Sequence, residues 1–341
     1  MSLMHELRKD PVLNRWIIAA KTPPGTLTDF VTKEKEEPDD PQSCLLCAGR
    51  EGSTPPEITA VREKSSKPNS TGWLTRVIPN FNPMLQIEGE LNSEGMGMYD
   101  KINGVGANEL IIETPEHIMN NRELDVRHVT RTLLMYKERI LDLENDKRLR
   151  YILISKSYGK AAGALYSHPH SQLTASPIIP QRIKEELDNA KAYYKMKERC
   201  IFCDILREEE KTGERIVLES RDFIAFCPFA SAFPFEIWIV PRRHECSFQE
   251  TDGKEIADLG LTVFTLLNKL AKLLNDPPYN LALHNAPNRI PRREHWHTLG
   301  DDFHWHIEIV PRLNTPAFEW SSGFYLLNIP PEAGAKYLRE V

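Results

Sequence analysis

The feature that most narrows what this chain can fold into is a set of motifs that occurs twice in the same order. The first pass runs Cys44-Leu-Leu-Cys47, the aromatic and proline segment Val77–Pro83, the apolar run Glu109–Glu113, His117, a charged amphipathic stretch, Tyr151–Ser155 and His168-Pro-His170. The second runs Cys200-Ile-Phe-Cys203, Phe226–Ala230, Phe235–Val240, His244, another amphipathic stretch, Leu281–His284 and His304-Trp-His306. The step from lone histidine to His-x-His is 51 residues from His117 to His168 and 60 from His244 to His304. Such an order points to an internal duplication.

Each pass has the same local grammar. Leu124, Val129, Leu133, Leu134, Ile140 and Leu141 recur near helical spacing, as do Ile256, Leu259, Val263, Leu266, Leu267 and Leu270. These stripes predict helices over about Arg122–Asp146 and Asp252–Asn275, the second stopped by Asp276-Pro-Pro278. The short flanking runs, rich in β-branched and aromatic residues, read as strands. The fold class is therefore α+β: two strand-rich units, over 1–180 and 181–341, each with one long helix and packed into one body. Thr22–Gln42 reads as a surface loop.

With 341 residues, 40% of them hydrophobic and 27% charged, the chain can build a sizeable core. A net charge of −6 argues against a partner that is a nucleic-acid backbone, but not against a mononucleotide in a cleft. No apolar run is long enough to span a membrane, and a cytoplasmic location is expected.

Of six cysteines, four form the two Cys-x-x-Cys pairs, a spacing that places two thiolates on one ion. Zinc takes four sulfur or nitrogen ligands, and the histidines that follow complete two sites: Cys44, Cys47, His117 and His168, then Cys200, Cys203, His244 and His304. Two Zn2+ ions per chain are expected. Cys227 and Cys246 read as ordinary thiols.

In His168-Pro-His170-Ser171-Gln172, one histidine is free for chemistry while its neighbour holds metal. A neutral imidazole attacks phosphorus and can pass the group on. His170 is the expected nucleophile, Gln172 a donor to the phosphoryl oxygens, and the serines Ser167 and Ser171 let backbone N–H groups approach phosphate.

The segment Gly163-Ala-Leu-Tyr-Ser-His-Pro-His-Ser-Gln172 resembles the active-site motif of galactose-1-phosphate uridylyltransferases, within the histidine-triad superfamily. Arg8–Ala19, the Cys44/Cys47 pair, Asn80-Phe-Asn82 and the doubled layout are similar to that family too, so the resemblance covers nearly the whole chain. It implies two tandem histidine-triad-like repeats, each an antiparallel sheet with a long helix, the first catalytic and the second silent. It implies an enzyme of the UDP-glucose:hexose-1-phosphate uridylyltransferase type, with ping-pong transfer of a nucleoside monophosphate from a nucleoside diphosphate sugar, through a covalent nucleotidyl-His170, to a sugar 1-phosphate; adenylyl transfer to phosphate, as in ADP-sugar phosphorylases, is the alternative. Asn80, Phe81 and Asn82 would lie in the nucleoside pocket, and the chain would form a homodimer acting in carbohydrate (galactose) metabolism.

Three departures resemble the sister branch of ADP-sugar phosphorylases: Lys21–Thr26 in place of an arginine-rich stretch, Phe318–Gly323 near the C-terminus, and the second Cys-x-x-Cys itself. Glu186, His284, His304 and His306 match the family's non-cysteine metal site, which competes with the cysteine set for His304. Two other functions fit the residues: a dinucleoside polyphosphate phosphorylase using the same histidine, and a zinc-stabilised binding module without catalysis.

Overall fold

The computed structural model describes residues 5–23, 26–32, 40–118, 120–289, 297–313 and 319–341. Residues 24–25, 33–39 and 318, which belong to segments read above as a loop or as departures from the family, lie outside them. The strands are β1 (His5–Lys9), β2 (Trp16–Ala20), β3 (Thr59–Arg62), β4 (Trp73–Pro79), β5 (Glu94–Met96), β6 (Tyr99–Lys101), β7 (Ala107–Ile112), β8 (Tyr151–Tyr158) and β9 (His170–Ser176). They continue as β10 (Ile216–Glu219), β11 (Phe223–Phe226), β12 (Ile237–Pro241), β13 (Tyr279–His284), β14 (His306–Pro311) and β15 (Tyr325–Leu327). The long helices are α1 (Val126–Leu143), α2 (Gln181–Lys197), α3 (Ile201–Thr212) and α4 (Gly253–Leu274).

Ten strands make one sheet in the order β10-β11-β12-β14-β13-β8-β9-β7-β4-β3. Read outward from the β8–β13 junction, the two arms have the same internal order: β8, β9, β7, β4, β3 on one side and β13, β14, β12, β11, β10 on the other. All its pairings are antiparallel, and the junction runs from Tyr279 opposite Tyr158 to Leu283 opposite Ile154. The duplication read from motif order is thus a pseudo-symmetric sheet. α1 connects β7 to β8, and α4 connects β12 to β13, at matching points of the two repeats.

Both helices begin where capping chemistry allows. Asp125 accepts from the Arg127 N–H, while Asp252 and Glu255 form a reciprocal capping box. α4 ends at Asn275, in the left-handed region at φ 61°, ahead of the two prolines. Its predicted apolar stripe is wholly buried. In α1 the stripe is narrower than predicted: Leu133 and Ile140 are buried, but Leu134 and Leu141 are exposed. Each of these follows its buried neighbour by one position, which turns it about 100° around the helix axis. The two helices pack closely at Gly260, where an added Cβ would come within 2.2 Å of Thr130 Oγ1. Together they cover one face of the central strands with a continuous apolar core.

Residues 5–20 pack with the C-terminal half. β2 pairs with β1 and, in parallel, with β15. Arg8 bonds Glu332 at 2.9 Å, and the Asn189 amide donates to the Val12 carbonyl at 2.9 Å. No described helix is long and apolar enough to cross a membrane.

Candidate active site and metal centres

β9 alternates strictly. Leu173 and Ala175 enter the core beneath α1, so His170 and Gln172 point to the opposite face. There His170 lies opposite Ile112 and Gln172 opposite Leu110, two residues of a small apolar cluster with Trp73 and Ile78. His170 is buried, and its Nδ1–H donates to the His168 carbonyl at 2.8 Å. That bond fixes the tautomer and directs the Nε2 lone pair away from the backbone. Burial holds the His170 pKa below the ordinary histidine value, so the imidazole is neutral at pH 7. Among the described residues the half-buried Gln172 amide has no hydrogen-bond partner, which leaves its donors for a ligand.

The residues expected to hold a nucleoside gather here too. Asn80 follows β4; its N–H donates to the Asn108 carbonyl at 2.9 Å and its Oδ1 accepts from the Asn82 N–H at 3.3 Å. The Phe81 ring lies 6.0 Å from Tyr166, whose ring meets His170 edge-on at 5.5 Å. Tyr166 was not singled out from the sequence, although it stands inside the quoted motif. Ser167 Oγ is 3.0 Å from His117 Nε2, so it serves a metal ligand. The expectation for Ser171 needs correction. Its side chain is fully buried on the α1 face, with its hydroxyl on Glu113 and Tyr136, and cannot reach a ligand on the His170 face.

Both Cys/His quartets assemble as read from the sequence. Within the first, Cys47 Sγ is 3.4 Å from His117 Nδ1 and 3.5 Å from His168 Nδ1, and Cys44 Sγ is 3.7 Å from His168 Nδ1. Within the second, Cys203 Sγ is 3.3 Å from His244 Nδ1 and 3.7 Å from His304 Nδ1. Edges of about 3.3–3.8 Å are those of a tetrahedron with arms of about 2.0–2.3 Å, the lengths of zinc–nitrogen and zinc–sulfur bonds. The outer nitrogens are held as a metal-binding tautomer requires: His168 Nε2 by the Thr114 carbonyl at 2.8 Å and His244 Nε2 by the Gly300 carbonyl at 2.9 Å. Burial pushes the Cys47 thiol up to about 12 when no cation is beside it. Cys227 and Cys246 are buried away from both sets.

A third group, Glu186, His284, His306 and Glu308, offers ligand atoms within 4.8 Å of one another. It corrects the competing set, because His304 sides with the cysteines and Glu308 takes its place. Glu186 Oε2 is 2.9 Å from His284 Nδ1; Glu308 is 3.7 Å from His284 Nε2 and 3.8 Å from His306 Nε2. Burial works against charge on His284, but Glu186 and Glu308 outweigh it and raise its pKa. Two buried carboxylates make this pocket short of positive charge, and Arg182 supplies part of it at 2.6 Å from Glu308. A signal for Glu308 existed: it stands two residues after His306, as Gln172 stands two after His170.

Comparison with known proteins identifies the family. Residues 186–328 match the family model described as galactose-1-phosphate uridyl transferase, C-terminal domain. The chain is 36% identical to an ADP-glucose phosphorylase of Arabidopsis thaliana over 98% of its own length and 93% of that protein's. It is 26% identical to a galactose-1-phosphate uridylyltransferase of Thermotoga maritima, over 99% of this chain and 98% of that one. A crystal structure of the Arabidopsis thaliana ADP-glucose phosphorylase with bound ADP-glucose superposes with a TM-score of 0.82 at 35% identity, covering 99% of each chain. These relatives transfer nucleotidyl groups, and this chain is a nucleotidyltransferase enzyme: it belongs to the galactose-1-phosphate uridylyltransferase family.

Proposed function

We propose that the chain moves a nucleoside monophosphate from a nucleoside diphosphate sugar to a phosphate acceptor, in two displacements at His170. His170 Nε2 attacks the α-phosphorus, the bond to the bridging oxygen breaks, and sugar 1-phosphate leaves. An acceptor phosphate oxygen then attacks the same phosphorus and restores the imidazole. The bond from His170 Nδ1 to the His168 carbonyl carries this reading, because it presents an unprotonated Nε2 beside Gln172. Gln172 donates to the oxygens that gather charge, and Phe81 with Tyr166 forms an aromatic wall for the base. The two Cys/His quartets would each hold a Zn2+ ion, which would tie the Cys44–Cys47 turn and the start of α3 to the sheet. With four protein ligands the role of such an ion would be structural.

Adenylyl transfer from an ADP-sugar to phosphate is favoured over uridylyl transfer to galactose 1-phosphate. The support is the higher identity to the ADP-glucose phosphorylase than to the uridylyltransferase, together with the second Cys/His quartet. The half carrying His306 is silent: Phe202 and Trp238 cover that ring at 5.0 and 5.1 Å. A cytoplasmic homodimer is part of the same reading. The exposed Met84, Met96, Met98 and Tyr99, following Asn80–Asn82 in the chain, offer an apolar surface for a second copy.

Intact-protein mass after incubation with ADP-glucose, and separately with UDP-glucose, tests the reading. An adenylyl increment that is absent in His170→Gly is expected, with steady-state turnover falling about 10⁴-fold or more in that variant. An increment from UDP-glucose alone would reassign the base. No increment from either donor in metal-loaded protein would overturn the covalent mechanism.

A further inference from the structure

Beneath the strand that carries His170 lies a buried polar chain that neither the transfer chemistry nor the metal sites use. Glu113, directly after β7, is at its centre. Its carboxylate accepts from Ser171 Oγ at 2.6 Å and from Lys156 Nζ at 2.5 Å, and Tyr136 of α1 bonds the same serine hydroxyl. Glu113 and Lys156 are both nearly inaccessible, and among the described residues each is ion-paired only with the other. Such a pair is a weak source of stability against an apolar replacement. Its place in the fold suggests another use.

The end of β7 holds every residue next to His170 and leaves His170 alone. The Glu113 N–H donates to the Pro169 carbonyl at 3.1 Å, and the Glu113 carboxylate takes the Ser171 hydroxyl. The Thr114 carbonyl accepts from His168 Nε2 at 2.8 Å. His168, in turn, supplies the carbonyl that receives the His170 Nδ1–H. Three bonds from two consecutive residues thus fix the backbone before and after the nucleophile. The Ser171 bond lies on the α1 face, opposite His170.

We infer that Glu113, acting through the Ser171 hydroxyl and charge-balanced by Lys156, is a positioning residue that holds His170 Nε2 on line for attack. The inference rests on the nucleotidyl-transfer reading above. Removing the Ser171 hydroxyl leaves the Glu113–Lys156 pair intact and frees one side of the clamp. Small displacements of a nucleophile are expensive: a shift of about 1 Å can slow a reaction about 100-fold.

The test uses metal-loaded Ser171→Ala and Tyr136→Phe proteins. The second variant removes the other bond to the same hydroxyl and leaves the clamp on Glu113. Single-turnover formation of the nucleotidyl adduct from ADP-glucose is followed by mass, together with 15N shifts of the His170 ring in the absence of donor. Ser171→Ala should slow the limiting rate about 10- to 100-fold with the half-saturating donor concentration within about 2-fold of wild type. Tyr136→Phe should stay within about 3-fold in both quantities. The ring should pass from one Nδ1–H tautomer to a mixture in Ser171→Ala only. An unchanged limiting rate, or a loss confined to half-saturation, overturns the inference. If wild type forms no adduct, the transfer reading fails, and the 15N shifts alone decide: an altered ring in Ser171→Ala sustains the clamp, an unaltered one removes it.

Discussion

The second histidine of each His-x-His pair makes the same backbone bond, His170 to the His168 carbonyl at 2.8 Å and His306 to the His304 carbonyl at 3.2 Å. Two residues later the halves part company. Gln172 is a neutral amide with free donors, whereas Glu308 is a buried carboxylate tied to Arg182 and close to His284 and His306. Tyr166 meets His170 edge-on, and Phe81 packs on Tyr166. Over His306 lie Phe202 and Trp238, and its Nε2 is buried without a hydrogen-bond partner among the described residues. Strand order and histidine geometry do not make a nucleophile. A neutral donor beside the ring is also required, and of Gln172 and Glu308 only Gln172 is one.

Metal removal should give the largest effect and break the comparison most sharply. Cys203→Ser and Cys47→Ser each remove a sulfur that bridges two histidines, and each should cost more than about 4 kcal/mol of stability. Their consequences for chemistry should differ. The second-half variant, kept folded at low temperature, should retain the wild-type limiting rate, because none of its ligands adjoins His170. The first-half variant releases His168, whose carbonyl orients the nucleophile, and should lose rate as well as stability. Thermal unfolding paired with metal content and turnover at 10 °C checks both. Equal rate losses in the two variants would mean that the halves are coupled through the β8–β13 junction.

What the sequence revealed of this difference followed how local each signal is. The two Cys/His quartets were legible because residue type, spacing and order recur within one chain. The fold class was legible because helical and strand periodicities alternate with the motifs. Glu308 was not assigned, since its role depends on α2 carrying Arg182 and Glu186 back against β14; Arg182 and Glu308 are 126 positions apart. Ser171 was misread for a simpler reason. On an extended segment neighbours of a cleft residue point away from the cleft, so a serine next to His170 belongs to the opposite face. Phe202 sits between the two cysteines of the second pair, and nothing in its spacing announces that it roofs over a histidine.

Gln172→Glu would copy the second half's residue into the first. The strand can accommodate the change, because Gln172 is only half-buried and has no partner to lose among the described residues. A carboxylate there would face the transferred phosphoryl group with like charge and no donor. Loss of one well-placed donor in a site of this kind slows the chemical step about 100- to 1,000-fold. We expect Gln172→Glu to reach or pass that range and Gln172→Ala to fall within it, both measured as the single-turnover rate of adduct formation. Near-equal rates for the two variants would show that donation, not charge, separates Gln172 from Glu308.

The smallest effect concerns the aromatic wall. Phe81 packs against Tyr166, and in the proposed reading its ring contacts the base. Stacking of this kind contributes about 0.5–1.5 kcal/mol beyond the area it covers. Phe81→Ala should therefore raise the half-saturating concentration of the nucleotide sugar about 10-fold, equivalent to about 1.4 kcal/mol. The limiting rate of adduct formation should change little, because a wall touching only the base would grip it equally before and during transfer. The aromatic residue over the other histidine behaves differently under the same substitution. Phe202 is fully buried against Trp238, Phe303 and His306. Phe202→Ala should leave donor binding unchanged and instead cost about 3–5 kcal/mol of stability, as large-to-small changes in a core do. Should Phe81→Ala lower stability by a comparable amount while donor binding is untouched, the first aromatic would be core as well, and the wall of the nucleoside pocket would have to be sought elsewhere on the Asn80–Asn82 turn.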